Sequence, residues 1–341
     1  MDPLSQVCIG SAAAQSLSRT SSLKTALWIG ALGGFLPDAD VLIRSSSDPL
    51  LHLEYHRHFT HALLFIPFGG LITAAIGKLI TRGKKSIKEL WLPASLGWAT
   101  HGLLDSCTSY GTYLLWPFSN ERVAWDNVSI IDPLFTLPLL AGVLLAVKKK
   151  RALLARAALI WALFYLSMGV LQRDRAADTY RERITERGHT PTSLEVKPSF
   201  GNNILFRGFY IHEGSFYADS IRVPWWGDEA IYEGESIAAL DTEALRATLG
   251  PVHQHDLDRF AYFSAGFLVN DPLHPGVVGD FRYAMVPNAV APMWGIDLAN
   301  ALEGEHAQFL RFSRTDSSQR QAMLDQLWGR RVDDNASSQE P

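Results

Sequence analysis

At 341 residues the chain is long enough for two domains, or for one membrane bundle plus one soluble domain. A formal net charge of −4 leaves no dominant basic face and argues against a nucleic-acid partner. Two cysteines, Cys8 and Cys107, make neither a disulfide framework nor a cysteine-type zinc motif, and read as small buried residues.

A hydrophobic content of 47% would suit an ordinary soluble protein, but it is unevenly spread. The long apolar runs fall in the first half, and most acidic residues fall in the second. The opening "MDPLSQVCIG" lacks the basic region of a cleavable signal peptide, so membrane insertion has to come from retained segments. Two short apolar stretches, around 4–17 and 25–36, predict a helical hairpin with its turn at "SRTSSLK". Three later runs approach the length that crosses about 30 Å of hydrocarbon: residues 62–80, 130–147 and 152–171. A fourth, from Leu90, is less pure because His101 and Asp105 interrupt it. The expected fold is thus mainly α: a polytopic helical membrane bundle over 1–172, then a small soluble α+β domain over 173–330. Residues 331–341 read as a disordered tail.

The basic loops "TRGKKSIK" and "KKKRALLAR" should stay cytoplasmic. The N-terminus, the regions 37–61 and 106–129, and the C-terminal domain then fall on the outer side. For a bacterial inner membrane that side is the periplasm. Seven ionisable residues reach one level near the outer interface in this topology: Asp38, Asp40, His56, His61, His101, Asp105 and Asp132. Their coincidence is the main functional signal.

Each piece has a functional and a plain reading. His101 and Asp105 are four apart in "HGLLDS", so on a helix they share a face and can ligate one metal or merely bond each other. Ionisable groups at membrane depth usually mark function, which favours ligation. In "FLPDAD", Pro37 ends a helix, and the two carboxylates can ligate a cation or cap the next helix. In "YHRHFTH", His61 would project from the first turn of a helix capped by Thr60, and His56 can bend back from the loop. The alternative is a polar belt at the membrane surface. Arg57 can hold a phosphate or carboxylate bidentately, His58 reads as an interfacial residue, and His52 has less claim. Thr108, Tyr110 and Thr112 offer hydroxyls around Gly111. Asp132, ahead of Pro133, is either a catalytic carboxylate or a helix cap.

The tail differs in kind. "QRDRAADTYRERITERG" reads as a charged helix, and "NILFRGFYIHEGSFYADSIRVPWW" as strands with a turn near Glu213-Gly214. "DLDRFAYFSAGFLV" reads as helix, "VVGDFRYAMVP" and "APMWGIDL" as strands. His253, His255 and Asp256 in "HQHD" have metal-like spacing but read as a loop entering a helix.

The blocks "MDPLSQ", "GALGGFLPDAD", "HRHFTH", "HGLLDSCTSYGTYLLWPFS" and "IIDPLFTLPLL", over roughly 1–140, resemble the YdjM-like family of membrane-bound metal-dependent hydrolases. The resemblance implies a helical membrane domain whose metal ligands are Asp38, Asp40, His56, His61, His101 and Asp105. Family members often carry glycine at the place of His58, and some carry histidine where this chain has Gln6. The donor set suits zinc, with manganese or iron also suitable, and its carboxylates suffice for one or two ions. The expected activity is hydrolysis of a phosphoester or other ester, such as a lipid or membrane-associated ester at the bilayer, with Arg57 and Asp132 in catalytic roles. An anchor or regulatory scaffold with a structural metal and a partner-binding C-terminal domain is the second class. Metal transport is a third, disfavoured because the candidates sit at one face.

Overall fold

The computed structural model describes residues 1–300, 302, 304–312 and 317–330; the tail expected over 331–341 lies outside them. A mostly helical N-terminal region is followed by a domain of antiparallel sheets.

The expected hairpin is α1 (Pro3–Ser16) and α2 (Leu23–Phe35). Asp2 caps α1 by accepting from the Leu4 and Ser5 amides, and Pro3 occupies the first helical position, where its missing N–H costs nothing. The two backbones touch: a Cβ on Gly10 would lie 2.5 Å from the Gly30 carbonyl oxygen. Small residues at such crossings give close helix packing. Beyond α2 the chain tightens into a 3-10 segment, Leu36–Leu42, that contains Pro37 and carries Asp38 and Asp40. Neither carboxylate caps a following helix.

A short α3 (Leu51–Tyr55) precedes two 3-10 turns, Phe59–His61 and Leu63–Phe65, and α4 (Ile66–Ile80) starts later than expected. Thr60 is not an N-cap, because its hydroxyl donates to Asp40 instead. A capping box of Ser86 and Glu89 opens α5 (Ile87–Ser106). Asp132 caps α6 (Pro133–Lys149), and α7 (Ala152–Glu186) is one 35-residue helix that joins the last apolar run to the charged stretch after it.

Among the described residues two helical segments are long and apolar enough to cross a membrane, Leu63–Ile80 and Ala152–Glu186. The other two expected spans do not reach that standard. The α6 helix has 17 residues, and polar groups, His101 and Asp105 among them, dilute the apolar character of α5.

The chain divides into two compact units. The first comprises Met1–Ile43, Tyr55–Leu171 and Phe200–Asn203; the second comprises Arg44–Glu54, Gln172–Ser199 and the chain from Ile204. The division inside α7 therefore falls after Leu171, while the segment Arg44–Glu54 belongs with the later residues. The first unit has a core of Ile9, Leu104, Phe135, Leu139 and Tyr165 with both cysteines, which are buried and free.

In the second unit β1 (Ser193–Pro198), β2 (Leu205–His212), β3 (Ser215–Arg222) and β4 (Ala230–Tyr232) pair antiparallel in that order, with β5 (Ser236–Ala238) also on β3. Positive φ at Glu213 (47°) and Gly214 (73°) makes the two-residue turn of the β2–β3 hairpin, where a right-twisted ribbon requires it. Ala176, Tyr180 and Ile184 of α7 pack on Phe206, Tyr210 and Ile221 of this sheet. After α8 (Thr242–Thr248) and α9 (Pro251–Phe263), a second antiparallel sheet takes the order β6 (Leu268–Asn270), β7 (Val277–Asp280), β8 (Trp294–Asp297), β9 (Gln308–Arg311), followed by α10 (Ser317–Trp328). "HQHD" is not a loop but part of α9, where Asp256 is buried against His306 and Arg259. The segment Arg44–Glu54 is held by Arg259 of α9, which donates to both Asp48 oxygens at 3.0 Å and to Glu54.

Candidate metal centre

Three pieces of the first unit bring six ionisable side chains together. The 3-10 turn after α2 delivers Asp38 and Asp40, the irregular stretch before α4 delivers His56 and His61, and the C-terminal turns of α5 deliver His101 and Asp105. Close backbone contact sets the register. A Cβ on Gly102 would lie 2.2 Å from the His61 carbonyl oxygen, so this turn of α5 lies directly against the His61 backbone.

The inner four are Asp38, His61, His101 and Asp105. His61 Nε2 lies 2.9 Å from His101 Nε2, 3.5 Å from Asp38 Oδ1 and 3.2 Å from Asp105 Oδ2. His101 Nε2 lies 3.3 Å from Asp38 Oδ1 and 3.6 Å from Asp105 Oδ2. Tetrahedral coordination at about 2.0–2.1 Å spaces ligand atoms roughly 3.3 Å apart, the same spacing.

The ring tautomers sharpen the point. His101 Nδ1 sits 2.6 Å from the Gly34 carbonyl, which can only accept, so Nδ1–H is the donor. His61 Nδ1 faces the Thr60 hydroxyl oxygen (2.9 Å) and Asp40 Oδ2 (3.3 Å), and the Thr60 proton already goes to Asp40. His61 Nδ1 is therefore a donor too. In their neutral forms both rings aim Nε2 lone pairs at each other, which only a proton or a cation between them makes favourable. Asp105 Oδ2 faces the same space and is buried without a hydrogen bond. This donor set could hold a metal ion.

The surroundings fix these atoms. Asp105 Oδ1 accepts from Gln6 Nε2 (3.0 Å) and from the Met1 ammonium, and its Oδ2 lies 3.3 Å from Arg57 Nε. The Arg57 guanidinium also donates to Thr108 (2.9 Å) and lies over the Tyr110 ring. Its amide donates to Asp40 Oδ2 at 3.0 Å, and His56 Nδ1 takes Asp40 Oδ1 at 2.8 Å. With Asp40 Oδ2 also accepting from Thr60, that carboxylate is fully engaged as the support behind His61. A second group, Asp38, Asp40 and His56, shares Asp38 with the first.

Burial opposes ionisation of Asp38, but hydrogen bonds from His101 and His61 outweigh it and hold the carboxyl below the usual carboxylate range. Asp40 is lowered in the same way, by His56 and His61 against its own burial. Burial works against a charged His61 as well, yet the surrounding carboxylates of Asp105, Asp38 and Asp40 prevail and raise it to about 10. Like a cation, the proton is drawn to the site by its carboxylates.

Asp132 stands apart from both groups. Its Oδ1 accepts from the Leu134 and Phe135 amides and its Oδ2 from the Tyr165 hydroxyl, which is the helix-cap alternative. His58 packs against Tyr113 and Trp116, and His52 lies in the second unit against Phe309. Sequence reasoning missed the carbonyl of Gly34, and it named Thr60 as a cap, Thr108 as a hydroxyl near the site and Gln6 as a position where relatives carry histidine without assigning any of them a supporting role. Gln6 had a sequence signal, a long polar side chain in an apolar stretch, and in the structure it is buried with Oε1 unsatisfied.

The profile of the family described as "YdjM inner membrane protein" matches residues 1–176. The inner membrane protein YbcI of Escherichia coli (strain K12) is 33% identical over 108 residues, which are 30% of this chain and 61% of that protein. The uncharacterized protein YfhP of Bacillus subtilis (strain 168) is 29% identical over 111 residues, 33% of each chain. The chain thus spans less than two thirds of either relative. No solved structure matches.

Proposed function

The chain belongs to the YdjM inner membrane protein family, and on that premise we propose that it is a membrane-bound metal-dependent hydrolase acting on a phosphoester or other ester at the membrane surface. The observation that carries this reading is the opposed pair His61 and His101, flanked by Asp38 and Asp105 at ligand spacing. These four residues would hold the ion. Two imidazoles and two carboxylates suit zinc, manganese or iron, whereas a second ion at Asp38, Asp40 and His56 would have to displace the His56–Asp40 hydrogen bond. Such a cation, when bound, polarises a carbonyl or phosphoryl oxygen and lowers the pKa of its water.

The chain's own residues do the rest. Asp40 and Gly34 fix the imidazole orientations, and Gln6 fixes the Asp105 carboxylate. Arg57, clamped by Asp105 and Thr108, supplies a fixed cation for an anionic substrate oxygen. Asp38 is the most exposed of the four, with a quarter of its side chain (24%) open, and so marks the substrate side. The basic turns at 81–88 and 148–156 favour an outer, periplasmic placement of this face, with the C-terminal domain on the same side.

A structural metal in a membrane anchor or regulatory scaffold is the second reading, favoured by a set of four donors, the number that a closed structural site uses. Mass spectrometry of tag-free, detergent-purified protein decides between them, together with ester and phosphoester assays and circular dichroism of His101→Ala and Asp105→Asn. Folded variants that lose both metal and activity support the hydrolase. Variants that unfold on losing metal support the scaffold. Wild type that takes up no zinc, manganese or iron overturns both.

A further inference from the structure

The second unit carries an apolar patch that the metal centre does not use. Trp226, on the connection between β3 and β4, is 90% exposed, the most exposed large apolar side chain among the described residues. Trp225 beside it is half-buried. Trp328, the last residue of α10, is 68% exposed and lies at the same end of β3, because Arg222 Nε donates to the Leu327 carbonyl at 2.9 Å. Indoles grouped in this way at a surface mark a site of contact rather than a piece of core.

The place of this loop along α7 says what covers it. Gln172 Nε2 donates to the Val223 carbonyl at 2.8 Å, and Arg175 donates to the Pro224 carbonyl at 3.2 Å and to Glu229 at 2.8 Å. Both stems of the loop are thereby tied to α7, and Gly227, with φ of 95°, turns the chain between them. Gln172 directly follows the apolar run 152–171 of the same helix, and Arg175 comes within the next turn. A helix rises about 5.4 Å per turn, so the stems are fixed at the level where a membrane-spanning α7 leaves the hydrocarbon. Indoles favour that level, since the ring is apolar and its N–H needs a polar partner. The Glu229 carboxylate beside the loop is paired with Arg175, which limits its repulsion of phospholipid headgroups.

We propose that the Trp225–Trp226 loop, together with Trp328, anchors the C-terminal domain to the membrane, its indoles seated in the phospholipid headgroup region where α7 emerges. The inference rests on α7 crossing the bilayer and not on the hydrolase reading. The test places a spin label at Asp228→Cys, an exposed position beside both indoles, in the full chain in phospholipid nanodiscs. Collisions are measured with oxygen, which partitions into lipid, and with a water-soluble nickel chelate. Glu213→Cys, at the opposite end of β3, calibrates water, and Leu163→Cys, exposed within the apolar run, calibrates lipid. Wild type, whose two cysteines are buried, is the labelling blank. At 228 nickel accessibility is expected several-fold below that at 213, with oxygen accessibility above it. Trp226→Ser combined with Trp328→Ser changes only exposed side chains and should return both values toward those at 213. Values at 228 equal to those at 213 overturn the proposal. So does loss of access to both reagents, which would assign the patch to a protein partner. Unchanged values in the double variant overturn it too, because the loop would then enter lipid without its indoles. A water-like signal at 163 would overturn the spanning of α7, and the anchor with it.

Discussion

His61 and His101 point their Nε2 atoms at one another across 2.9 Å, and each ring is committed to that orientation by an acceptor behind it. Two neutral imidazoles so placed repel, whereas a shared cation turns the same geometry into attraction. The acceptors behind the rings therefore decide how well the front atoms bind.

Asp40 and Asp38 should accordingly behave differently. Asp40→Asn keeps the ligand atoms but weakens the support behind His61, and about a 10- to 100-fold loss of metal affinity at unchanged stoichiometry is expected. Asp38→Ala removes a facing oxygen and should reduce the metal content itself. Competition with a chromophoric chelator separates the two. Identical behaviour of both variants would sink the distinction.

Gly102 tests the backbone contact. An added methyl would meet the His61 carbonyl oxygen at 2.2 Å, and neither partner is a side chain that can turn away. Gly102→Ala should destabilise the protein by about 1–3 kcal/mol, the usual cost of overpacking, and loosen metal binding through His61. Unaltered metal affinity would show that the contact does not set the register.

Asp132→Ala separates a cap from a catalytic group. Loss of the cap and of the Tyr165 bond should cost about 2 kcal/mol, with metal content unchanged. If metal is lost while denaturant unfolding stays the same, Asp132 belongs to the centre after all.

The Arg259 clamp gives a pH dependence. Burial opposes the Asp48 charge, but the hydrogen bond from Arg259 outweighs it and lowers its pKa from 3.8. A folded value below the unfolded one means that the contribution is present above pH 3.8 and fades as pH falls through the folded value. Hydrogen exchange over residues 44–54 should be faster in Asp48→Asn than in wild type at neutral pH. The difference should shrink below pH 3.8, and a constant difference would disprove the link.

Much of the centre was legible because its residue types are costly where they stand. His101 and Asp105 interrupt an apolar helix, and Asp38 and His61 flank apolar runs, so chemistry rather than packing had to account for them. The helical hairpin and the β2–β3 turn were likewise visible, from apolar spacing and from Glu213-Gly214. The supports were not legible. A carbonyl at Gly34 or a hydroxyl at Thr108 acquires its role only when distant segments meet. Thr60 misled for the same reason, since its capping signal is local and its actual acceptor, Asp40, lies twenty residues away. The same holds for residues 44–54, whose place depends on a partner at Arg259.

Arg57 embodies a conflict within one residue. Its φ of 65° is a left-handed conformation that suits glycine, and an ordinary side chain there costs about 1–2 kcal/mol. The side chain nevertheless reaches Asp105 and Thr108. Arg57→Gly would relax the backbone but strip the buried Asp105 carboxylate and the Thr108 hydroxyl of their guanidinium partner, a loss larger than the strain it relieves. The strain at this position is therefore tied to the buried ion pair that the side chain makes, and glycine there gives up both at once.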